Sequence, residues 1–230
     1  MKKSPILTIA SMILVLTVLS TAPRTSFQAE YYSPQTNFEE HQMPLASYSW
    51  DKENIEGCIF KEDGVSNSHY VWAKLAVQFW RQALKEYTDH TNVWNITARY
   101  GGTTEQAEDE RCDFAIYIHD LYSDFPEYPN QKGAYTSTEF TDGIITSVDV
   151  YLAPVVLHGD GKTEIELPSY AFRNSAVHEV GHLLGLSHMQ SPKGYLMSPQ
   201  FDYFEENDRL PITTLELSAL EEKYGDDGFD

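Results

Sequence analysis

Five residues in the last quarter of this 230-residue chain have the types and the spacing of a metal site. His178 and His182 are four positions apart, and Glu179 directly follows the first of them. Positions four apart share one face of a helix, so both imidazoles can reach a single ion. Zinc favours such nitrogen ligands in tetrahedral sites. Glu179 is one position after His178, so it points in a different direction from the two histidines. It can therefore act on a water at the metal.

Gly185 and His188 extend the pattern beyond the predicted end of that helix. Glycine adopts a left-handed conformation without steric cost, so Gly185 predicts a sharp turn after His182. The turn would bring His188 back as a third ligand and leave the fourth position open for water, as a catalytic zinc site requires. The five fixed positions match by chance on the order of 10⁻⁴ or below. The alternative is a helix whose histidines are solvated or satisfied in the core.

Met197 lies nine residues after His188, within the run Leu196-Met197-Ser198-Pro199. A methionine turn at this point can place a soft, adaptable thioether beneath the three imidazoles. Taken alone, Met197 would be interpreted as core filler. Its position after the histidines favours the turn instead.

The elements that must position these residues follow from hydrophobic periodicity and turn signals. Helices are predicted over residues 67–87 with Asn67 or Ser68 as cap, 169–184 with Ser169 as cap, and 213–224. Strands are predicted around residues 58–60 and over 92–100, 112–118, 134–138 and 144–152, the second of them stopping at Gly101. This order predicts a mixed α/β domain with a twisted sheet.

The formal charge of the chain is −19, from 16 basic and 35 acidic side chains. Nucleic-acid binding depends on a basic footprint, so we expect no nucleic-acid partner. The same charge disfavours binding to anionic lipid. An acidic surface that promotes solubility is the simplest interpretation, with calcium binding as an alternative.

The amino-terminal 22 residues have the pattern of an export signal. Lys2 and Lys3 precede an apolar run, and Ser20-Thr21-Ala22 offers a cleavage site of small residues. An uncleaved, outward-facing membrane anchor is the alternative, because the uncharged stretch is about as long as a membrane span. Residues 23–43 are polar and without periodicity, which predicts a flexible lead or a short pro-segment. Residues 44–230 would then form the folded domain.

The chain has two cysteines, Cys58 and Cys112. In an oxidising compartment an even number of cysteines suggests a disulfide bridge. A bridge closing so long a loop would contribute roughly 4 kcal/mol by chain-entropy arithmetic. Two separate buried thiols are the alternative.

The pattern His178-Glu179-x-x-His182-x-x-Gly185-x-x-His188, followed by Met197, resembles the metzincin clan of metalloproteases and within it most closely the matrixins. The resemblance covers roughly residues 44–230. It implies a zincin-like α+β fold with a twisted, five-stranded mixed sheet and three helices. It further implies that the first strand lies beside the third, which would bring Cys58 and Cys112 together.

The resemblance also implies a function, a secreted zinc-dependent endopeptidase that acts on protein or peptide substrates, with Glu179 as general base. The edge strand at 134–138 would pair with an extended substrate, and Pro199 and Phe201 would line the pocket for the residue after the cut. The family suggests calcium as a second ion, and we expect a monomer. A surface protein that keeps zinc without cutting, and a membrane-anchored protease, are the rival interpretations.

No tyrosine stands two residues after Met197, so the tyrosine ligand of astacins and serralysins is not matched. The sequence departs from the matrixin pattern in two places. The cysteine switch of the pro-domain is missing, since Cys58 falls inside the domain. The segment His158-Gly159-Asp160 lies too late for the structural-zinc signature of vertebrate matrixins and is interpreted as a surface turn.

Overall fold

A computed structural model describes residues 32–33, 43–88, 95–109, 111–119, 133–157, 162–189, 195–199 and 209–225. The predicted export signal, at residues 1–22, and the segment His158-Gly159-Asp160 lie outside these residues. So do Phe201 and most of the predicted lead at 23–43. Among the described helices, none combines the length and the hydropathy that crossing a membrane needs.

The described chain contains three α-helices, one 3₁₀ helix and nine strands. The α-helices are α1 (Asn67–Tyr87), α2 (Ser169–Leu183) and α3 (Thr214–Tyr224), and the 3₁₀ helix is Thr104–Asp109. The first strands are β1 (Tyr32–Ser33), β2 (Asn54–Lys61), β3 (Asn95–Thr103), β4 (Phe114–Ile118) and β5 (Ala134–Thr141). The later strands are β6 (Ile144–Leu152), β7 (Val155–Leu157), β8 (Glu164–Glu166) and β9 (Ile212–Thr213).

Five strands form the main sheet, in the order β3-β2-β4-β6-β5. All neighbours are parallel except β5, which runs antiparallel to β6. Asp142 and Gly143 join these two strands, with φ angles of 54° and 84°. Such a pair of positive φ angles is typical of the two-residue hairpin turn, which forces an antiparallel return. The predicted mixed sheet and the edge position of β5 are therefore confirmed.

Helices α1 and α2 pack against each other and enclose the main core between themselves and one face of the sheet. Trp80 of α1 is completely buried, and its indole nitrogen donates to the Val177 carbonyl of α2 at 2.7 Å. Val150 and Leu152 of β6 supply apolar side chains to the same core. Val150 and Leu152 are two positions apart on β6, so they point to the same face of the sheet.

The opposite face of the sheet carries aromatic and sulfur side chains. Phe60, Tyr117, Tyr151 and Tyr135 stack in turn across β2, β4, β6 and β5, with ring centroids 5.5, 5.1 and 4.5 Å apart. Cross-strand pairs of this kind stabilise a sheet by about 0.2–1 kcal/mol each. Cys58 of β2 forms a disulfide with Cys112, which lies just before β4. β2 and β4, the first and third strands predicted from the sequence, are neighbours in the sheet, as the resemblance implied.

Three local predictions were wrong in detail. Ser66, and neither Asn67 nor Ser68, caps α1, because its hydroxyl accepts from the Ser68 amide at 3.2 Å. Ser169 begins α2 without capping it, since its hydroxyl accepts from the Trp72 indole at 2.8 Å. Strand β3 continues through Gly101 to its end, because parallel pairing with β2 extends to Thr103.

Candidate metal centre

Helix α2 positions the first two histidines one turn apart on the same face. The Nε2 atoms of His178 and His182 are 3.0 Å apart. His178 is buried and His182 is partly buried. The helix therefore presents two ring nitrogens to one point, as the four-residue spacing predicted.

Gly185 ends α2 with a φ of +91°. Its amide donates to the His182 carbonyl at 2.9 Å, and the Leu186 amide donates to the Gly181 carbonyl at 3.0 Å. This pair of bonds around a left-handed glycine is the Schellman motif. A Cβ at this position would lie 2.6 Å from Cε of Lys223, so that side chain would have to shift, but the positive φ is the main reason for glycine here.

The loop after Gly185 brings His188 to the other two histidines. Its Nε2 atom lies 3.2 Å from that of His178 and 3.0 Å from that of His182. The segment before β2 holds this loop in place. The Ala46 amide donates to the Gly185 carbonyl at 2.9 Å, and the Ser187 amide donates to the Pro44 carbonyl at 2.8 Å. The turn at Gly185 and the hydrogen bonds to residues 44–46 together hold the loop that carries His188.

Hydrogen bonds to the backbone set the tautomer of two of the rings. Nδ1 of His178 lies 2.6 Å from the Leu196 carbonyl, and Nδ1 of His182 lies 2.8 Å from the Leu186 carbonyl. A carbonyl only accepts, so each Nδ1 carries the proton and each Nε2 keeps its lone pair. Such outer contacts orient metal-binding histidines in general.

The donor geometry fits a zinc ion. Three nitrogens around tetrahedral zinc, each about 2.0–2.1 Å from the ion, would be roughly 3.3 Å apart. The observed separations of 3.0 to 3.2 Å are close to that value. Within the described part of the chain, this is the one group of three or more potential ligands close enough to share an ion. No comparable group of carboxylates for calcium occurs there.

Met197 lies against α2 at Gly181, which stands between His178 and His182 in the sequence. It is completely buried, and a Cβ added to Gly181 would lie 2.6 Å from its sulfur. Gly181 therefore provides the space that the thioether occupies. The Ser198 amide donates to the Tyr195 carbonyl at 3.1 Å, which closes a turn that contains Met197. Pro199 follows this turn and is exposed.

The carbonyls at the end of α2 are satisfied by distant side chains. The indole nitrogen of Trp50 donates to the Leu183 carbonyl at 2.9 Å, and the Tyr224 hydroxyl donates to the Leu184 carbonyl at 2.9 Å. Burial raises the pKa of Tyr224, so the hydroxyl keeps the proton that it donates. Tyr224 thus anchors the carboxyl end of α2 to α3.

Glu179 lies beside the histidines with 5% of its surface exposed. Its Oε2 atom accepts a hydrogen bond of 2.7 Å from the hydroxyl of Thr136 on β5. The sequence analysis did not find Thr136. Alternation along β5 places it on the helix-facing side of the sheet, but its register against α2 depends on tertiary packing.

A model of the matrixin family matches residues 26–225. No curated protein sequence matches the chain. Two solved structures of myroilysin are each 13% identical to it, with a TM-score of 0.28. The first match covers 69% of this chain and 52% of myroilysin, and the second covers 71% and 56%. The chain thus spans about half the length of these proteins.

Proposed function

The chain belongs to the matrixin family, and from this premise we propose that it is a secreted zinc-dependent endopeptidase with Glu179 as its general base. The observation that carries the proposal is the convergence of three Nε2 atoms beside a buried carboxylate. A purely structural helix does not need three histidines that converge on one point.

His178, His182 and His188 would hold the zinc ion. When bound there, zinc supplies Lewis acidity that polarises the scissile carbonyl and makes a water molecule easier to deprotonate. The backbone contacts of the first two rings keep their Nε2 atoms aimed inward before any ion arrives. This preorganisation lowers the cost of binding the ion.

Glu179 would move the proton. Its carboxylate takes a proton from the attacking water and delivers it to the amine that leaves when the peptide bond breaks. Because it directly follows a ligand on the same helix, its carboxylate reaches the space in front of the histidines without being a fourth ligand. Its burial keeps bulk water from competing for that proton.

Strand β5 would hold the substrate. Among the described residues no strand lies on its outer side, so its backbone groups along residues 134–138 can pair with an extended peptide. The same strand contacts α2 through the Thr136–Glu179 bond. Pro199, together with Phe201 outside the described residues, would shape the pocket for the side chain after the cut.

A peptide-cleavage assay with metal control tests this function. We expect the purified protein to cleave members of a quenched peptide library, to lose cleavage when a chelator removes its metal, and to regain it on addition of zinc. Cleavage by the metal-free protein would contradict the role of zinc. Zinc-loaded protein that cleaves no peptide would show a binding protein instead.

Amino-terminal sequencing of the mature protein tests the secretion part of the proposal. We expect the mature chain to begin after Ala22, in the culture medium of the producing cells. A membrane-bound chain that retains residues 1–22 would show an anchored, outward-facing protease. The catalytic proposal would be unaffected by that result.

A further inference from the structure

The hydroxyl of Thr136 has two acceptors of Glu179 within reach. Its Oγ1 atom lies 2.7 Å from Oε2 of the carboxylate and 3.2 Å from the main-chain carbonyl oxygen. Hydroxyl hydrogen bonds are normally 2.5–3.0 Å long, and those to a charged oxygen are the short and strong ones. The single proton of the hydroxyl is therefore donated to the carboxylate.

The fold directs Thr136 toward α2 by strand alternation. Its neighbour Tyr135 points to the opposite face of the sheet, where its ring stacks on Tyr151 with centroids 4.5 Å apart. Thr136 is paired with Val150 of β6, whose side chain is buried in the core on the helix side. The hydroxyl is thus placed by the sheet register, 43 positions away from Glu179 in sequence.

A glutamate carboxylate is not oriented by its own rotamer preferences, because its terminal torsion is broad. A hydrogen bond to one oxygen restricts that torsion and fixes the direction of the other oxygen. The donor here belongs to the strand on which the peptide substrate would lie. One side chain therefore connects the substrate-holding strand to the group that receives the proton.

We propose that Thr136 is a positioning residue, whose hydroxyl holds the Glu179 carboxylate in the orientation needed to accept a proton from the attacking water. This inference rests on the proposed function of Glu179 as general base. Small misplacements of reacting groups lower turnover strongly while leaving binding of the substrate almost unchanged. Loss of the Thr136 hydroxyl should therefore lower kcat and leave KM nearly unchanged.

The test compares Thr136→Val, which keeps the shape and removes the hydroxyl, with Thr136→Ser, which keeps the hydroxyl. We expect the valine variant to lose about 10- to 100-fold in kcat with little change in KM. The serine variant should recover most of the loss. Thr141→Val, at the exposed far end of the same strand, is the matched control and should behave like the wild type.

Zinc content and thermal stability are measured for every variant, because a misfolded protein would also lose activity. If Thr136→Val does not fold, Thr136→Ala against Thr136→Ser gives the same comparison of hydroxyl absent and present. Wild-type kcat in the variant without the hydroxyl would overturn the proposal. Equal losses in the serine variant and the variant without the hydroxyl would overturn it too, because the hydroxyl would then not be the cause.

Crystal structures of the metal-free wild type and of metal-free Thr136→Val provide a readout that is independent of activity. We expect the Glu179 carboxylate to rotate or to become disordered in the variant, while the three histidines stay in place. An unchanged carboxylate would contradict the proposal. Glu179→Gln distinguishes failure of the proposed function from failure of this inference. Full activity in that variant would refute Glu179 as general base and not only its positioning by Thr136.

Discussion

Two buried glutamates in this protein each have a threonine hydroxyl as a hydrogen-bond partner, and we propose different roles for them. Glu179 on α2 and Glu216 on α3 are 5% and 0% exposed. In each, Oε2 accepts a hydrogen bond from a threonine hydroxyl, that of Thr136 or that of Thr213. Burial and a hydroxyl partner therefore do not distinguish a catalytic carboxylate from a structural one.

The two glutamates differ in where their threonine partners lie in the fold. Thr213 is the residue that caps α3, and its amide also donates to Glu216 at 2.9 Å, so the pair is a local capping box. Oε1 of Glu216 has no hydrogen-bond partner among the described residues. Glu179 instead takes its partner from a distant strand and adjoins three converging histidines. The capping pair stabilises a helix end, and the other pair joins two elements beside the proposed zinc site.

The largest expected effect comes from disrupting the histidine cluster, which distinguishes the surroundings of Glu179 from those of Glu216. His182→Ala should bind zinc more than about 100-fold more weakly, because losing a ligand costs more than losing an outer-shell contact, and peptide cleavage should disappear. Zinc content after dialysis measures this. His119→Ala is the control, since His119 is a buried histidine that packs edge-on against Tyr151. Stoichiometric zinc in His182→Ala would refute the ligand assignment.

The second effect contrasts the two glutamates directly. Glu179→Gln should retain zinc and lose about 10²- to 10⁴-fold in kcat, the range for removal of a general base. Glu216→Gln should keep the turnover of each folded molecule. Kinetics on zinc-matched, folded protein measure both. If the two variants lost activity equally, the distinction between the catalytic and the capping carboxylate would fail.

The smallest effect is a pH dependence of stability at Glu216. Burial raises the pKa of this carboxyl above its ordinary value of 4.5, and the bonds from Thr213 oppose the rise only partly. Below 4.5 both the folded and the unfolded state are protonated. As the pH rises from there through the raised pKa, the unfolded state releases its proton first, so the folded state loses stability.

Urea unfolding of the metal-free protein at several pH values measures this effect. Glu216→Gln has no proton to release, so its free energy of unfolding should rise relative to that of the wild type as the pH increases through this window. The opposite trend would mean that the cap stabilises the charged form, with a lowered pKa.

The sequence predicted the parts of the site that depend on local spacing. The turn at Gly185 needs only a glycine after a helix, and the facing of His178 and His182 needs only helical periodicity. The hairpin at Asp142 and Gly143, which explains why β5 is antiparallel, is also local but was not predicted.

The parts that escaped prediction depend on the packing of distant elements. Thr136 meets Glu179 because the sheet register and the seating of α2 bring them together, and neither can be read from a single strand. The cap of α1 was misplaced to Asn67 or Ser68, because several consecutive polar residues there can all act as caps. Ser169 resembles a cap in sequence, but its hydroxyl bonds to Trp72 of another helix.

The central claim is that three imidazoles bind one zinc ion in front of Glu179. Anomalous X-ray diffraction at the zinc edge, from crystals of the protein purified with zinc, tests it most directly. We expect a single strong peak about 2.0–2.1 Å from Nε2 of His178, His182 and His188. A zinc peak elsewhere, or His188 turned away from the other two rings with no metal between them, would contradict the claim.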